Sequence, residues 1–305
     1  MKKYKLIIVV AVLLGAIIIS CKTQFATTKA TYKAVPSQEA LAHGRDLAFT
    51  ICAGCHYDRS VNKFIGTPIH DVPGIVGKVY SANLTHSKTQ GLPPRYTDAE
   101  LKYLFRTGIA RDGRYLNYML RPNMSDDDIN AIIVFLRSDD PAVAAADTTI
   151  GLTHYNIIGK AYNSMTAKPV AYRANVQRPP ADNPAALGGY MVDIVGCFHC
   201  HSKSFTSLNF QYPERSKGYL AGGIKFKDEK GHVVYASNIT PDKNAGIGEF
   251  TEQQFRKAVK DGQAPDGKLK PPMPKFDKLT DKEVDAIYAY LQTVPPNNHK
   301  IALGN

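Results

Sequence analysis

The sequence predicts an all-α protein made of two copies of one helical domain joined by a long linker. Three observations predict it: a repeat with a nearly constant offset, helix-start signals at matching places in both copies, and a short cysteine–histidine motif once in each. The domain boundaries read from these are 1–21 for a leader, 36–140 and 183–298 for the two copies, and 141–182 for the linker between them.

The leader comes first. Lys2, Lys3 and Lys5 precede an unbroken apolar run of 14 residues, Leu6 to Ile19. That is the length of a secretion signal and short of the roughly 20 residues that span a bilayer. The run ends Ile18-Ile19-Ser20-Cys21, a small residue directly before Cys, which resembles the bacterial lipobox. Cys21 is therefore the expected lipidation site, and the chain is expected on the periplasmic side of a bacterial membrane, held by lipid.

Four further cysteines form two pairs, each followed at once by histidine: Cys52-Ala-Gly-Cys55-His56 and Cys197-Phe-His-Cys200-His201. This is the attachment signature of c-type haem. Two cysteines three residues apart on one helical turn point the same way, so both reach the vinyl groups of one porphyrin. The next residue then lies under the iron, where its imidazole coordinates. Zinc ribbons place their pairs about 15–20 residues apart, whereas 141 residues separate Cys55 from Cys197. Two covalently bound haem c groups are expected.

After each motif the two copies align. Tyr80-Ser-Ala-Asn83-Leu-Thr85 matches Tyr235-Ala-Ser-Asn238-Ile-Thr240, and Asp112-Gly113 matches Asp266-Gly267, at offsets of 154 to 155 residues. Thr97 with Glu100, Thr251 with Gln254 and Thr280 with Glu283 read as capping boxes, and Ser125 with Asp128 as a weaker form. The last helix of copy one presents Ile129, Ile132, Ile133 and Leu136, and that of copy two Val284, Ile287, Tyr288 and Leu291. Both stripes follow helical spacing. The linker carries Asp139-Asp-Pro141, an alanine run and Arg178-Pro-Pro-Ala, with a short helix expected around Tyr155 to Met165.

The repeat also points to the sixth iron ligand. Histidine with methionine is a cytochrome c pairing. Met119 lies seven residues after Asp112, and Met273 seven after Asp266. In copy two the run Pro271-Pro272-Met273-Pro274 stiffens the loop. Met124 competes with Met119 but aligns with the apolar Leu279, and His70 or His86 remains an alternative to a methionine.

These residues resemble the class I cytochrome c fold in tandem, and more narrowly the cytochrome c subunits of membrane-bound alcohol and gluconate dehydrogenases. The second copy carries the likeness best: Tyr235-Ala-Ser-Asn-Ile-Thr-Pro-Asp, Gly246-Ile-Gly-Glu-Phe250-Thr251, Met273-Pro274 and Ala286-Ile-Tyr-Ala-Tyr-Leu291. It covers about residues 37–138 and 184–296. Those subunits usually carry three haem motifs, and an aromatic that is usually Trp is Phe250 here; the chain has no Trp. The resemblance implies a small residue and aromatics where the first and last helices of each copy cross: Gly44, Phe49 and Phe135, then Gly189, Tyr190 and Tyr290.

The expected function is electron transfer between a dehydrogenase or other donor and a respiratory acceptor, with redox proteins as partners and no substrate chemistry. The alternative is a di-haem peroxidase-like enzyme, which needs one haem with a releasable distal side. The net charge of +11, partly in the leader, fits an acidic docking partner. No basic helix or aromatic ladder points to nucleic acid.

Overall fold

The structure, a computed structural model, describes residues 24–69, 74–93, 95–148, 150–151, 153–227 and 232–301. The leader, Cys21 and His70 lie outside them. Regular structure among the described residues is mostly helical, with three two-stranded antiparallel ribbons. No helix among them is long and apolar enough to cross a membrane.

In the first half, α1 is Gln38–Leu47, opened by Ser37, whose hydroxyl accepts from the Ala40 N–H at 3.0 Å. It runs through a π turn, Ala48–Cys52, into the short α2, Ala53–His56. Helix α3, Asp98–Thr107, has a complete Thr97/Glu100 capping box and ends on Gly108 at φ +74°. Helix α4 is Asp126–Leu136. The linker contains α5, Ile157–Thr166, close to the helix expected there.

The second half repeats the series. Helix α6, Pro184–Val195, starts on Asn183 with proline in its first turn, where no N–H is needed. It breaks at Gly196, φ +86°, directly before α7, Cys197–His201. Helices α8, Glu252–Asp261, and α9, Asp281–Leu291, carry the two expected capping boxes at Thr251 and Thr280.

Helix α1 packs on α4, and α6 packs on α9. Both crossings need a glycine. A Cβ on Gly44 would stand 1.8 Å from the Ala131 carbonyl oxygen, and one on Gly188 would stand 1.8 Å from that of Ala286. The crossing glycine of the second half is thus Gly188 and not Gly189, whose missing side chain faces the Tyr290 ring instead. The cause is local. Between crossing glycine and first motif cysteine the second half has one residue more than the first, and it leaves the helix at Gly196 where the first half continues through a π turn.

The apolar stripes enter the core as expected: Ile129, Ile132, Ile133, Val284 and Leu291 are fully buried. Phe49, Phe64, Tyr57 and Phe135 pack edge-on beside α1. Beyond α4 the chain folds back over the first half. Val143 is fully buried, the Phe64 N–H donates to Ala142 O at 2.9 Å, and the His86 N–H donates to Val143 O at 2.9 Å. The ribbons join β1 (Gly77–Lys78) to β2 (His154–Tyr155), β3 (Lys225–Lys227) to β4 (Val233–Tyr235), and β5 (Gln263–Ala264) to β6 (Gly267–Lys268). Strands this short carry too little alternation to read in a sequence.

Candidate metal centres

Each cysteine–histidine motif occupies one helical turn that follows the first helix of its half, α2 after α1 and α7 after α6. This places both cysteines on one side of the turn and delivers the histidine at its end. Neither motif is closed by a disulfide. Burial pushes the Cys52 and Cys197 thiols up to about 12, so both stay protonated.

The histidines are held alike. His56 Nδ1 lies 2.8 Å from the Ala82 carbonyl oxygen, and His201 Nδ1 lies 2.7 Å from that of Ser237. A carbonyl only accepts, so in each ring Nδ1 carries the proton and Nε2 keeps its lone pair. Burial lowers the pKa of both, against the opposing pull of that hydrogen bond, which favours the neutral imidazole a metal requires. Only 8 % of each histidine is exposed, so the rings stand in the protein rather than in water.

The accepting carbonyls are fixed by a second matched device. Asn83 Oδ1 accepts from the Thr85 N–H and hydroxyl, and its amide donates to Ala146 O at 2.8 Å. Asn238 does the same with Thr240 and donates to Asn297 O at 2.6 Å. The sequence match Asn-x-Thr is therefore a clamp on the residue that orients the histidine. Gly66 N donates to His56 O and Gly222 N to His201 O, closing the other side.

Met119 ends a 3₁₀ turn, Asn117–Met119, and Met273 lies in its proline-rich loop; both are half-buried, and each backbone N–H donates to the carbonyl three residues earlier. Met124 is fully buried in the core, and Leu279, its match, is buried too. His86 Nε2 lies 2.9 Å from Leu136 O at the end of α4. His43 Nε2 lies 2.7 Å from Asp128 Oδ1.

The donor set fits haem c. Two thiols on one turn, then an imidazole with its outer nitrogen tied to backbone, is what thioether attachment and axial ligation require, and it occurs twice. Among the described residues no cluster of three or more His, Cys, Asp or Glu is arranged to hold a bare metal ion.

Comparison with known proteins agrees. The fructose dehydrogenase cytochrome subunit of Gluconobacter japonicus is 33% identical over 156 residues, which is 50% of this chain and 28% of that relative. The chain resembles the cytochrome c subunits of dehydrogenases. The cytochrome c subunit of the quinone alcohol dehydrogenase of Gluconacetobacter polyoxogenes is 36% identical over 125 residues, 40% of this chain and 24% of that subunit. The gluconate 2-dehydrogenase cytochrome c subunit of Pantoea cypripedii is 34% identical over 106 residues, covering 34% and 21%. The chain thus spans about a quarter of the length of the curated relatives it matches. No protein-family model matches it.

Sequence reasoning did not single out Arg121 or Asp193 beside these sites. Neither belongs to a motif; Arg121 lines up with Lys275 in a loop of the other copy, and Asp193 has no charged match there.

Proposed function

We propose that the chain is an electron-transfer protein with two haem c groups, one in each of two tandem class I cytochrome c domains, residues 36–140 and 183–298, joined by the linker 141–182. The observation that carries this reading is the duplicated histidine geometry, His56 on the Ala82 carbonyl and His201 on that of Ser237.

Cys52 and Cys55 would hold one group by thioethers, with His56 as axial ligand. Cys197, Cys200 and His201 would hold the other. Met119 and Met273 would supply the opposite ligands. Haem c bound in this way supplies one-electron exchange at iron. The backbone carbonyls keep each imidazole in one tautomer and one orientation. Thioether sulfur is a softer donor than imidazole and favours the reduced metal, so methionine raises the potential, and burial raises it further. A methionine at each sixth position makes the chain a carrier and not a peroxidase.

Electrons would enter from a dehydrogenase and leave to a respiratory acceptor. Lys268, Lys270 and Lys275 flank Met273, are exposed, and have no acidic partner among the described residues. That arrangement favours docking of an acidic partner surface at the second domain. Cys21 would carry lipid and hold the chain on the periplasmic side of the membrane.

The test is haem stoichiometry on purified mature protein. Denatured chain should retain two haem groups by mass, and Cys21→Ser should release a soluble, fully loaded form. One haem per chain, or a high-spin haem that reduces peroxide, would overturn the reading.

A further inference from the structure

The two halves meet beside their cysteine–histidine turns, and Arg121 is one of the side chains that cross that junction. Arg121 follows the Met119 turn by two residues. Its backbone N–H is anchored on Phe105 O at 2.6 Å, and Nη1 donates to Leu120 O at 2.8 Å within its own loop. Its Nε crosses to the second half and donates to Ile194 O at 2.9 Å, in the last turn of α6. That turn leads through Val195 and Gly196 directly to Cys197. Helix α6 also packs against the π turn that ends in Cys52.

The guanidinium therefore stands within electrostatic reach of both motifs. Arg121 follows Met119 by two residues in the first half and is bonded three residues before Cys197 in the second. Its counter-charge is Asp193, the neighbour of Ile194 on α6. Asp193 Oδ2 accepts from Asn123 Nδ2 at 2.6 Å, and Asn123 Oδ1 in turn accepts from Arg173 at 2.7 Å. The charged and titratable groups near Asp193 are Arg121, Arg173, Glu214, Tyr219 and Tyr290. Arg106 and Arg178, also near this junction, are committed to Asp126 and to the Asp128–Glu283 pair.

We infer that Arg121 is a positioning residue shared by both haem sites: it fixes the Met119 loop against the segment that leads into Cys197, and its one positive charge, partly offset by Asp193, sets the potential of both irons together. The inference rests on the two-haem reading above. The physics is Coulombic. Oxidised iron carries one more positive charge than reduced iron, so a nearby cation disfavours oxidation and raises the potential, while a nearby anion lowers it. Because the cation lies at the junction and not inside one half, its removal acts on two potentials where a charge buried within one half acts on one.

The experiment is potentiometric titration of the purified chain, with haem content measured first in every variant. At pH 8, Arg121→Gln should lower both midpoint potentials, and Arg121→Lys should restore both, because it keeps the charge while losing the planar fork. Asp193→Asn should raise both at the same pH, so the idea remains testable if Arg121→Gln does not fold. Asn123→Ala loosens the same contact without changing a charge and should leave both potentials in place. Two haems with unchanged potentials in Arg121→Gln, or in Asp193→Asn, would overturn the role of Arg121 and leave the two-haem reading intact. A wild-type chain with fewer than two haems would instead overturn that reading.

Discussion

The Tyr190 hydroxyl donates a hydrogen bond to the Asp128 carboxylate, and the same oxygen accepts the Ser125 N–H at 2.9 Å. In the three complete capping boxes among the described residues the residue three places into the helix reaches back to that N–H itself. In α4 Asp128 does not, and a phenol from the other half of the chain stands in between. Asp128 is left to accept from Arg178 of the linker at 3.0 Å, and Arg178 also reaches Glu283 at 2.6 Å. Asp128 and Glu283 are matching positions in the repeat, so one guanidinium bridges the starts of two equivalent helices. Tyr190→Phe leaves the buried Ser125 N–H without an acceptor and should cost about 1–3 kcal/mol in denaturant unfolding. A cost below a few tenths would mean the junction does not depend on this bond.

The same cluster predicts acid sensitivity. Burial alone would raise the pKa of Asp128, but the bond to His43, the charge of Arg178 and the Tyr190 hydroxyl together hold it below the ordinary carboxylate value. A carboxylate with a depressed folded-state pKa stabilises the fold above its unfolded pKa of about 4, and that contribution is lost as pH falls through the folded value. Stability should therefore drop below about pH 4. Asp128→Asn should start from lower stability at pH 7 and show a shallower acid limb.

Asp193 should behave in the opposite sense. Burial raises its carboxyl to about 6, against the pull of Asn123 and Arg121. A raised carboxyl contributes stability below its unfolded value of about 4, and that contribution is lost as pH climbs through 6. The loss is about 3 kcal/mol at 1.4 kcal/mol per unit. Asp193→Asn should flatten this part of the curve between pH 4 and 7, as read by thermal unfolding across pH.

The crossings make a symmetric prediction. Gly44→Ala and Gly188→Ala each drive a methyl group into a backbone carbonyl that cannot turn aside, because it belongs to α4 or α9. Each should cost about 1–3 kcal/mol or more. Gly189→Ala meets only the edge of the Tyr290 ring at 3.0 Å and should cost less. The sequence placed the crossing glycine correctly in the first half and one residue late in the second. A repeat read at constant offset cannot register the residue at Gly196 that leaves the helix.

What was legible in the sequence was whatever depends on local spacing. The capping threonines, the buried stripes of α4 and α9, the helix in the linker and the two motif turns all follow from residues a few places apart. The junction was not legible, because its contacts join residues far apart that no repeat marks. Asn123 meets Asp193 and Arg121 meets Ile194 only once the halves have docked. The ribbon of β1 with β2 was hidden for the same reason, since it pairs Gly77 with Tyr155 in the linker. The role of Asn83 and Asn238 lay between these cases. The repeat showed the residues, but only the fold shows them clamping the strand of chain that orients each histidine.

The methionines separate carrier from enzyme, and the packing sharpens that test. Met124 is fully buried in the core, whereas Met119 and Met273 are half-buried in matching loop turns. Met124→Leu is a volume-conserving change in a core and should cost less than about 1.5 kcal/mol. It should leave the weak far-red absorption of a sulfur–ferric iron bond unchanged. If Met119 and Met273 are the ligands, Met119→Leu and Met273→Leu should each remove about half of that absorption, and each should change one midpoint potential far more than the other. The potential that moves in Met119→Leu should be the one that stays in Met273→Leu. If Met124→Leu abolishes the band in place of Met119→Leu, the first site takes its ligand from the core edge of α4. If neither Met119→Leu nor Met124→Leu affects the band, the first iron has a ligand of another kind. His86 would be the next residue to replace, because its imidazole is the alternative ligand in the first half, although its Nε2 is engaged by Leu136 O in this structure.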